Sequence, residues 1–187
     1  MERISNGEES IREVSVEAFV TDWLSHKTST KSEATAARYR TTTQQFVTHL
    51  EERAARPLSS IRTSDVQEFL NSRGKIRSTK TISIDSKTLA AAFADALRQG
   101  LISRNPVSAV EMLKTQSNER EGFTSGQVRI LVASAQGDWL TCVLLGFFTG
   151  ARLSDIVDAT WQDVNLLERT LFYRQRKTGV KVVILLR

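Results

Sequence analysis

The 187-residue sequence has few of the residues that mark secreted, membrane-bound and low-complexity chains. Its single cysteine, Cys142, cannot form an internal disulfide or a cysteine-based zinc site, and we interpret it as a core residue because it lies in the apolar run 142–148. Only two prolines and nine glycines are present, which excludes collagen-like repeats. The longest apolar runs are too short to cross a bilayer, and no secretory signal follows Met1. We therefore expect a cytoplasmic protein.

Positive charge is unevenly distributed along the chain. The total is 26 Lys and Arg against 21 Asp and Glu, a formal net charge of +5. Residues 1–22 carry a net charge of −4, whereas residues 73–104 and 174–187 each carry +5. Two basic segments suggest two surfaces that face the same polyanion. Solvated charged faces would give the same pattern, and charge alone does not separate the two interpretations.

Apolar spacing predicts a helical domain at 14–113 after a flexible tail at 1–13. Four apolar stripes carry that prediction, beginning near Val16, Tyr39, Val66 and Ile82. Several local features complete it: a polar connection at 25–32, a second helix that runs to about Ala55, a capping box of Ser64 with Gln67, a basic loop at 73–79, a helix end at Gly100 and a short helical turn at 109–113.

A linker is predicted at 114–122, where no side chain is apolar. Beyond it, the domain at 123–187 is predicted to mix helices and strands. Its predicted features are a capping box of Thr124 with Gln127, a buried helix over 139–148 that ends at Gly150, a short helix from Leu153, and a β-hairpin of 170–173 and 180–186 around Lys177-Thr178-Gly179. We expect this domain to be incomplete, because its last strand would leave an apolar edge uncovered.

Two cationic side chains lie at positions where they could bind a phosphate or donate a proton. Arg152 follows a glycine turn at the start of a predicted helix, where its planar guanidinium could grip two phosphate oxygens, with Asp155 three residues on to orient it. Lys177 lies at the predicted hairpin tip, where it could give a proton to a leaving oxygen. When each residue is considered alone, the simpler explanation is favoured: a surface ion pair with Asp155 for Arg152, and a solvated turn lysine for Lys177.

Together, these two segments resemble the tyrosine recombinase, or phage integrase, family. Thr149-Gly150-Ala151-Arg152-Leu153-Ser154-Asp155-Ile156 is similar to the family's first arginine box, and 159–164 to the segment that follows it. Residues 176–181 resemble the hairpin that carries the family's catalytic lysine, and 98–107 the end of its core-binding domain. The resemblance implies a mainly α fold: a helical, SAM-like core-binding domain followed by part of an α+β catalytic domain.

The resemblance also implies roles. Arg152 would grip the scissile phosphate and stabilise its transition-state charge, Lys177 would protonate the departing 5′ oxygen, and Asp155 would replace a supporting glutamate. The family's His-x-x-Arg box, later His or Trp, and nucleophilic Tyr lie beyond the lysine hairpin, and none occurs in the ten residues after Lys177. We therefore expect a chain truncated before those boxes and inactive alone. We assign no nucleophile, because neither Tyr39 nor Tyr173 has the nucleophile's sequence context.

In the helical domain, cationic and hydroxyl side chains cluster at the starts of the second and fourth predicted helices. Lys and Arg neutralise phosphates, and hydroxyls add hydrogen bonds that fix register. A solvated basic face is the alternative without the family resemblance. The candidate DNA-binding residues are Lys31, Thr35, Arg38, Arg73, Lys75, Arg77, Lys80, Thr81 and Lys87, with Thr42 and Ser83 on the same predicted faces.

The most consistent hypothesis is a DNA-binding protein of site-specific recombination or integration. Its partners would be double-stranded DNA and other recombinase protomers. No cofactor and no metal are expected, because the resemblance implies strand exchange through a 3′-phosphotyrosine. Two alternatives remain open: a non-catalytic regulator that occupies recombinase sites, and a helical protein-interaction module with solvated basic faces.

Overall fold

The computed structural model describes residues 13–111 and 121–186. The chain divides into two compact units, 1–117 and 118–187. The predicted tail at 1–13 and the predicted linker at 114–122 fall almost entirely outside the described residues, so the domain boundaries stay predictions. No helix in the described part combines the length and the apolar character that crossing a membrane requires.

The first unit is helical, and its four predicted helices are confirmed. Apolar side chains from all four helices form one core, in which the Phe46 ring packs edge-to-face on Phe69 and Phe93 at centroid distances of 5.2 and 6.1 Å. The elements are α1 Val16–Thr30, α2 Glu33–Leu50, α3 Thr63–Gly74 and α4 Thr79–Arg98, with 3₁₀ turns at Glu51–Ala55 and Leu58–Ser60. The second helix is predicted to run to about Ala55, but its α-helical part ends at Leu50, and the remaining residues, Glu51–Ala55, form a 3₁₀ turn.

The polar connection expected at 25–32 is wrong over most of its length, because α1 continues to Thr30. Its hydroxyl groups bond to the helix's own carbonyls: Ser25 donates to Asp22 at 2.7 Å, and Thr28 to Leu24 at 2.8 Å. Serine and threonine satisfied in this way need not interrupt a helix. The connection is reduced to Lys31 and Ser32.

The capping box expected from Ser64 and Gln67 is also wrong. The carboxylate of Asp65 accepts the Arg62 backbone N–H at 2.8 Å, because α3 begins at Thr63, two residues earlier than that box requires. Gln67 instead pairs with the backbone of Glu111 at 3.0 and 3.2 Å. Gly100 has φ +71° and follows α4, as predicted. The helical turn expected at 109–113 is not present at 110–111, and its last two residues lie outside the described range.

The second unit contains short helices and a small antiparallel sheet of three strands, which lie side by side in chain order. The predicted hairpin is confirmed, with Phe172 opposite Val183. The box of Thr124 with Gln127 is also confirmed, by backbone-to-side-chain bonds of 2.9 and 3.3 Å. The elements are α5 Ser125–Ser134, α6 Asp138–Thr149, α7 Leu153–Val157, a 3₁₀ turn at Trp161–Asp163, β1 Val164–Asn165, β2 Thr170–Arg174 and β3 Lys181–Leu185.

Helix α6 was expected to be buried, and this expectation is wrong for the described structure. Trp139 and Phe148 are 67% and 75% exposed, and Phe147 is also exposed. Gly146 faces Ile156 of α7, and α5 packs on α6 as well, so part of the helix is covered. The apolar character of α6 on all sides therefore exceeds what its neighbours in 121–186 bury.

Candidate functional site

The turn between α6 and α7 fixes the backbone of Arg152. Gly150 has φ +63°, a left-handed conformation in which glycine carries no side-chain penalty, and its N–H closes α6 on the Gly146 carbonyl at 3.0 Å. The Thr149 hydroxyl accepts the Ala151 N–H at 3.1 Å. Arg152 then caps α7, since its carbonyl accepts the N–H groups of Asp155 and Ile156 at 2.9 and 3.1 Å. Hydrogen bonds on both sides of the Arg152 Cα therefore hold this turn.

The carboxylate of Asp155 connects this turn to the hairpin. Its side chain is 1% exposed, and its Oδ1 accepts the backbone N–H of Arg176 at 3.0 Å. Its Oδ2 lies 3.9 Å from Arg152 Nη1, which is an ion-pair distance but too long for a hydrogen bond. Asp155 thus holds the residue next to Lys177 and faces Arg152 at the same time.

The hairpin tip that carries Lys177 is braced by its neighbours. Arg174 Nη1 donates to the Gly179 carbonyl at 2.7 Å, and the Thr178 hydroxyl donates to Gln175 Oε1 at 2.7 Å. Gly179 has φ +71°, so the turn requires a left-handed residue at that point. The Lys177 side chain is exposed and makes no hydrogen bond or ion pair with the residues described in 13–111 and 121–186. It is therefore free to contact a ligand.

The structure brings the arginine segment and the lysine hairpin together through Asp155, but it records no direct contact between Arg152 and Lys177. The Arg152 side chain is 51% exposed, so its guanidinium also has open space around it. The Arg176 side chain pairs with exposed Asp158 at 3.5 Å. Both cationic side chains therefore face solvent, and Asp155 links the backbone segments that carry them.

In the helical unit, most candidate DNA-binding residues are accessible. Lys31 and Arg38 are exposed at the start of α2, where Thr35 is half-buried. The other accessible candidates lie on the loop between α3 and α4 and along the first turns of α4. They are Lys75, Arg77, Lys80 and Lys87, which are exposed, and Thr81, which is half-buried. Ser78 caps α4, and its hydroxyl accepts the Thr81 N–H at 3.3 Å.

Arg73 and Thr42 do not belong to that accessible surface, which corrects their assignment. Arg73 Nε lies 2.7 Å from Asp85 Oδ2, and the two side chains are 11% and 5% exposed. The Thr42 hydroxyl donates to Asp85 Oδ1 at 2.8 Å and is itself buried. The charge of Arg73 is neutralised inside the unit, so we remove it from the phosphate-binding candidates and assign it to the ion pair that joins α3 to α4.

A second buried aspartate was not found by sequence reasoning. Asp95 on α4 accepts Trp23 Nε1 and Lys27 Nζ, each at 2.7 Å, and also pairs with Arg98. The apolar stripe of α4 gave no sign of it, because Asp95 lies beside Phe93 and Ala96 on the buried face. The only available signal was the presence of a carboxylate at a core position, which requires partners from other helices.

No protein-family model matches the chain. The integrase of Enterobacteria phage 434 and the integrase of Escherichia phage lambda are each 31% identical to it over 134 residues. That stretch is 68% of this chain and 36% of each relative, so the chain spans about a third of the length of the curated relatives it matches. The chain belongs to the tyrosine recombinase, or phage integrase, family.

Solved tyrosine recombinases share the fold. A lambda integrase dimer bound to a COC′ core site is similar at a TM-score of 0.77, with 23% identity, over 94% of this chain and 49% of that one. The Tn1549 transposon integrase in complex with a circular intermediate DNA gives 0.67, with 20% identity, over 91% and 57%. The mainly α fold expected from the sequence is thereby confirmed.

One departure from the recombinase pattern concerned Asp155, because the pattern has a longer glutamate at that position. The shorter carboxylate still reaches the Arg176 N–H at 3.0 Å, since α7 and the hairpin tip lie close together. The contact that the sequence left open is therefore a hydrogen bond to the backbone beside Lys177.

Proposed function

We propose that this chain binds duplex DNA in site-specific recombination or integration and places Arg152 and Lys177 on a phosphodiester. The observation that carries the proposal is the buried carboxylate of Asp155, which holds the backbone next to Lys177 while it faces Arg152. A surface ion pair would not require that burial, nor a tether between two segments 21 residues apart. Further support comes from the integrase relatives, because the similar solved chains include complexes with DNA.

In this proposal, Arg152 binds two non-bridging oxygens of the phosphate through its planar guanidinium. Its Nη1 remains close enough to Asp155 to stay oriented while the rest of the group faces solvent. Positive charge held in place before the reaction stabilises the additional negative charge of the transition state. Arg152 thus supplies positive charge at the proposed phosphate position.

Lys177 supplies the proton. Its side chain is exposed at the tip of a braced turn, so its ammonium group can approach a leaving 5′ oxygen. The bonds from Arg174 and Thr178 restrict the turn and reduce the conformational freedom that binding would otherwise remove.

We propose no nucleophile within the described residues. Tyr39 packs on Trp23 in the helical core at a centroid distance of 5.0 Å, and Tyr173 is 9% exposed in β2. Both rings are therefore at least partly buried by packing. The chain is therefore proposed to bind DNA without cutting it, and a role as a non-catalytic occupant of recombinase sites is the second candidate that this observation favours.

The helical unit is proposed to contribute phosphate contacts through the start of α2, the exposed loop between α3 and α4, and the N-terminal half of α4. Cationic side chains there would release counterions from DNA, and hydroxyls would hold the register. The contacts proposed for this surface are Lys31, Thr35, Arg38, Lys75, Arg77, Lys80, Thr81 and Lys87.

Binding to nicked and intact duplexes tests this function. Arg152→Ala and Lys177→Ala should each weaken affinity, whereas Arg129→Ala, which removes an exposed charge from α5, is the matched control. Incubation with a nicked substrate should leave no adduct that survives denaturant. A covalent adduct would contradict the non-cleaving assignment and direct attention to Tyr173. Equal effects of all three substitutions would show that only net charge matters.

A further inference from the structure

The helical unit buries its large apolar side chains with few exceptions. Among residues 13–111, only Ile76 and Leu97 count as exposed large apolar side chains, at 74% and 41%. Ile76 is the more exposed of the two, and it lies between Lys75 and Arg77 in the basic loop that joins α3 to α4. An apolar side chain in the middle of a proposed phosphate-binding loop requires an explanation beyond charge.

The loop is held in a defined conformation, so the exposure of Ile76 is not a matter of a loose chain. The N–H groups of Ile76 and Arg77 both donate to the Arg73 carbonyl, at 3.1 and 2.9 Å. The guanidinium of Arg73 is in turn anchored on buried Asp85 at 2.7 Å. The backbone carbonyl and the guanidinium of Arg73 therefore fix the base of the loop to the core of the helical unit.

The Ile76 side chain also lies outside a neighbouring cavity in which it could have been buried. A cavity beside the loop is lined by Leu70, Ile82 and the flanking residues Lys75 and Arg77, but Ile76 does not line it. Burial of an isoleucine is favourable, so a side chain kept out of a neighbouring apolar site is available for a partner.

We infer that Ile76 contacts the edge of a base and reads the methyl group of a thymine in the major groove. The inference rests on the proposed DNA binding. Lys75 and Arg77 would neutralise phosphates, which leaves the side chain between them to approach the bases. The thymine C5-methyl is the apolar group that base pairs present at the major-groove edge, whereas the minor groove presents none. Ile76 would thus supply sequence preference, and its neighbours affinity.

The test begins with selection from a library of random 20-base-pair duplexes by the full chain and by its Ile76→Ala variant. Leu97→Ala is the matched control, because it truncates the other exposed apolar side chain. We expect the wild-type and Leu97→Ala selections to share a preference for thymine at one or two positions, and Ile76→Ala to lose it. Identical selected motifs for all three proteins would overturn the inference.

A second measurement needs no variant. Deoxyuridine in place of the selected thymine removes only the methyl group, and we expect it to weaken wild-type binding by about fourfold, the value of one buried methyl-sized group. The same replacement should leave the affinity of Ile76→Ala unchanged. A neutral effect on the wild type would overturn the contact. Strong 2-aminopurine fluorescence at a neighbouring step would also overturn it, since it would indicate a wedge that unstacks bases.

Failure of the proposed function is distinguishable from failure of this contact. If the wild-type chain binds no duplex at low salt, both are overturned. If Lys75→Ala weakens binding to every sequence while Ile76→Ala selects the wild-type motif, DNA binding stands and the thymine contact alone is wrong.

Discussion

Replacement of Asp155 by alanine should free the hairpin tip that carries Lys177. The carboxylate accepts the Arg176 N–H at 3.0 Å from a side chain that is 1% exposed, so water cannot readily take its place. A hydrogen bond to a charged group contributes about 1.5–3 kcal/mol, which corresponds to roughly 10- to 150-fold in the local opening equilibrium. The Arg152 ion pair adds little, because its guanidinium is half-exposed and 3.9 Å away.

Amide hydrogen exchange at Arg176 measures this directly. Asp155→Ala should accelerate exchange of that amide by about 10- to 150-fold if the bond limits opening. Asp155→Asn keeps an acceptor and loses the charge, so its effect should be several-fold smaller. The amide of Gln175, which donates to the Val180 carbonyl at 2.8 Å, is the internal control. Equal exchange at Arg176 in the wild type and Asp155→Ala would refute the tether.

Three further substitutions test a buried ion pair, the glycine turn before Arg152, and the exposed edge of the sheet. Asp85→Ala leaves the buried charge of Arg73 without its partner. Urea titration should therefore show a free energy of unfolding that is lower by about 3–5 kcal/mol. A loss below about 1 kcal/mol would contradict the buried pair. Gly150→Ala should destabilise the second unit by about 1–2 kcal/mol, because φ is +63°. No atom lies near the added Cβ, so backbone strain and not a clash would cause the loss. Gly126→Ala inside α5 is the control and should be neutral or stabilising, and equal melting temperatures of the two variants would refute the strain argument. Val183→Lys places a second charge on exposed edge strand β3 and should reduce concentration-dependent light scattering; unchanged scattering would show that this edge does not self-associate.

Local signals in the sequence predicted most of the elements. The apolar stripes located all four helices of the first unit, and Gly150 located the end of α6 because a left-handed cap favours glycine. The hairpin followed from two β-prone runs around a turn. The extent of α1 did not follow from the sequence, because the polar run 25–32 is typical of a connection, whereas the Ser25 and Thr28 hydroxyls bond within the helix.

Contacts between distant residues could not be predicted in the same way. Thr42 and Asp85 are 43 residues apart, and their bond became visible only when α2 and α4 were packed together. Arg73 consequently looked like a phosphate ligand, although it is a structural partner of Asp85. Asp155 was expected to support Arg152, but its stronger contact, with the Arg176 backbone, depends on where the hairpin tip lies. The residue types were readable in the sequence, and their partners were not.

The salt dependence of duplex binding tests the central claim most directly. The account predicts that wild-type affinity falls steeply as salt rises. When Lys75, Arg77 and Lys80 are replaced together by alanine, the slope of log K against log salt should be smaller in magnitude by about 2.7, because each phosphate contact contributes about 0.9. The charge-matched control replaces Arg40, Arg56 and Arg62, which are exposed elsewhere on the helical unit. A wild-type slope near zero, or equal slopes for the two triple variants, would contradict the account.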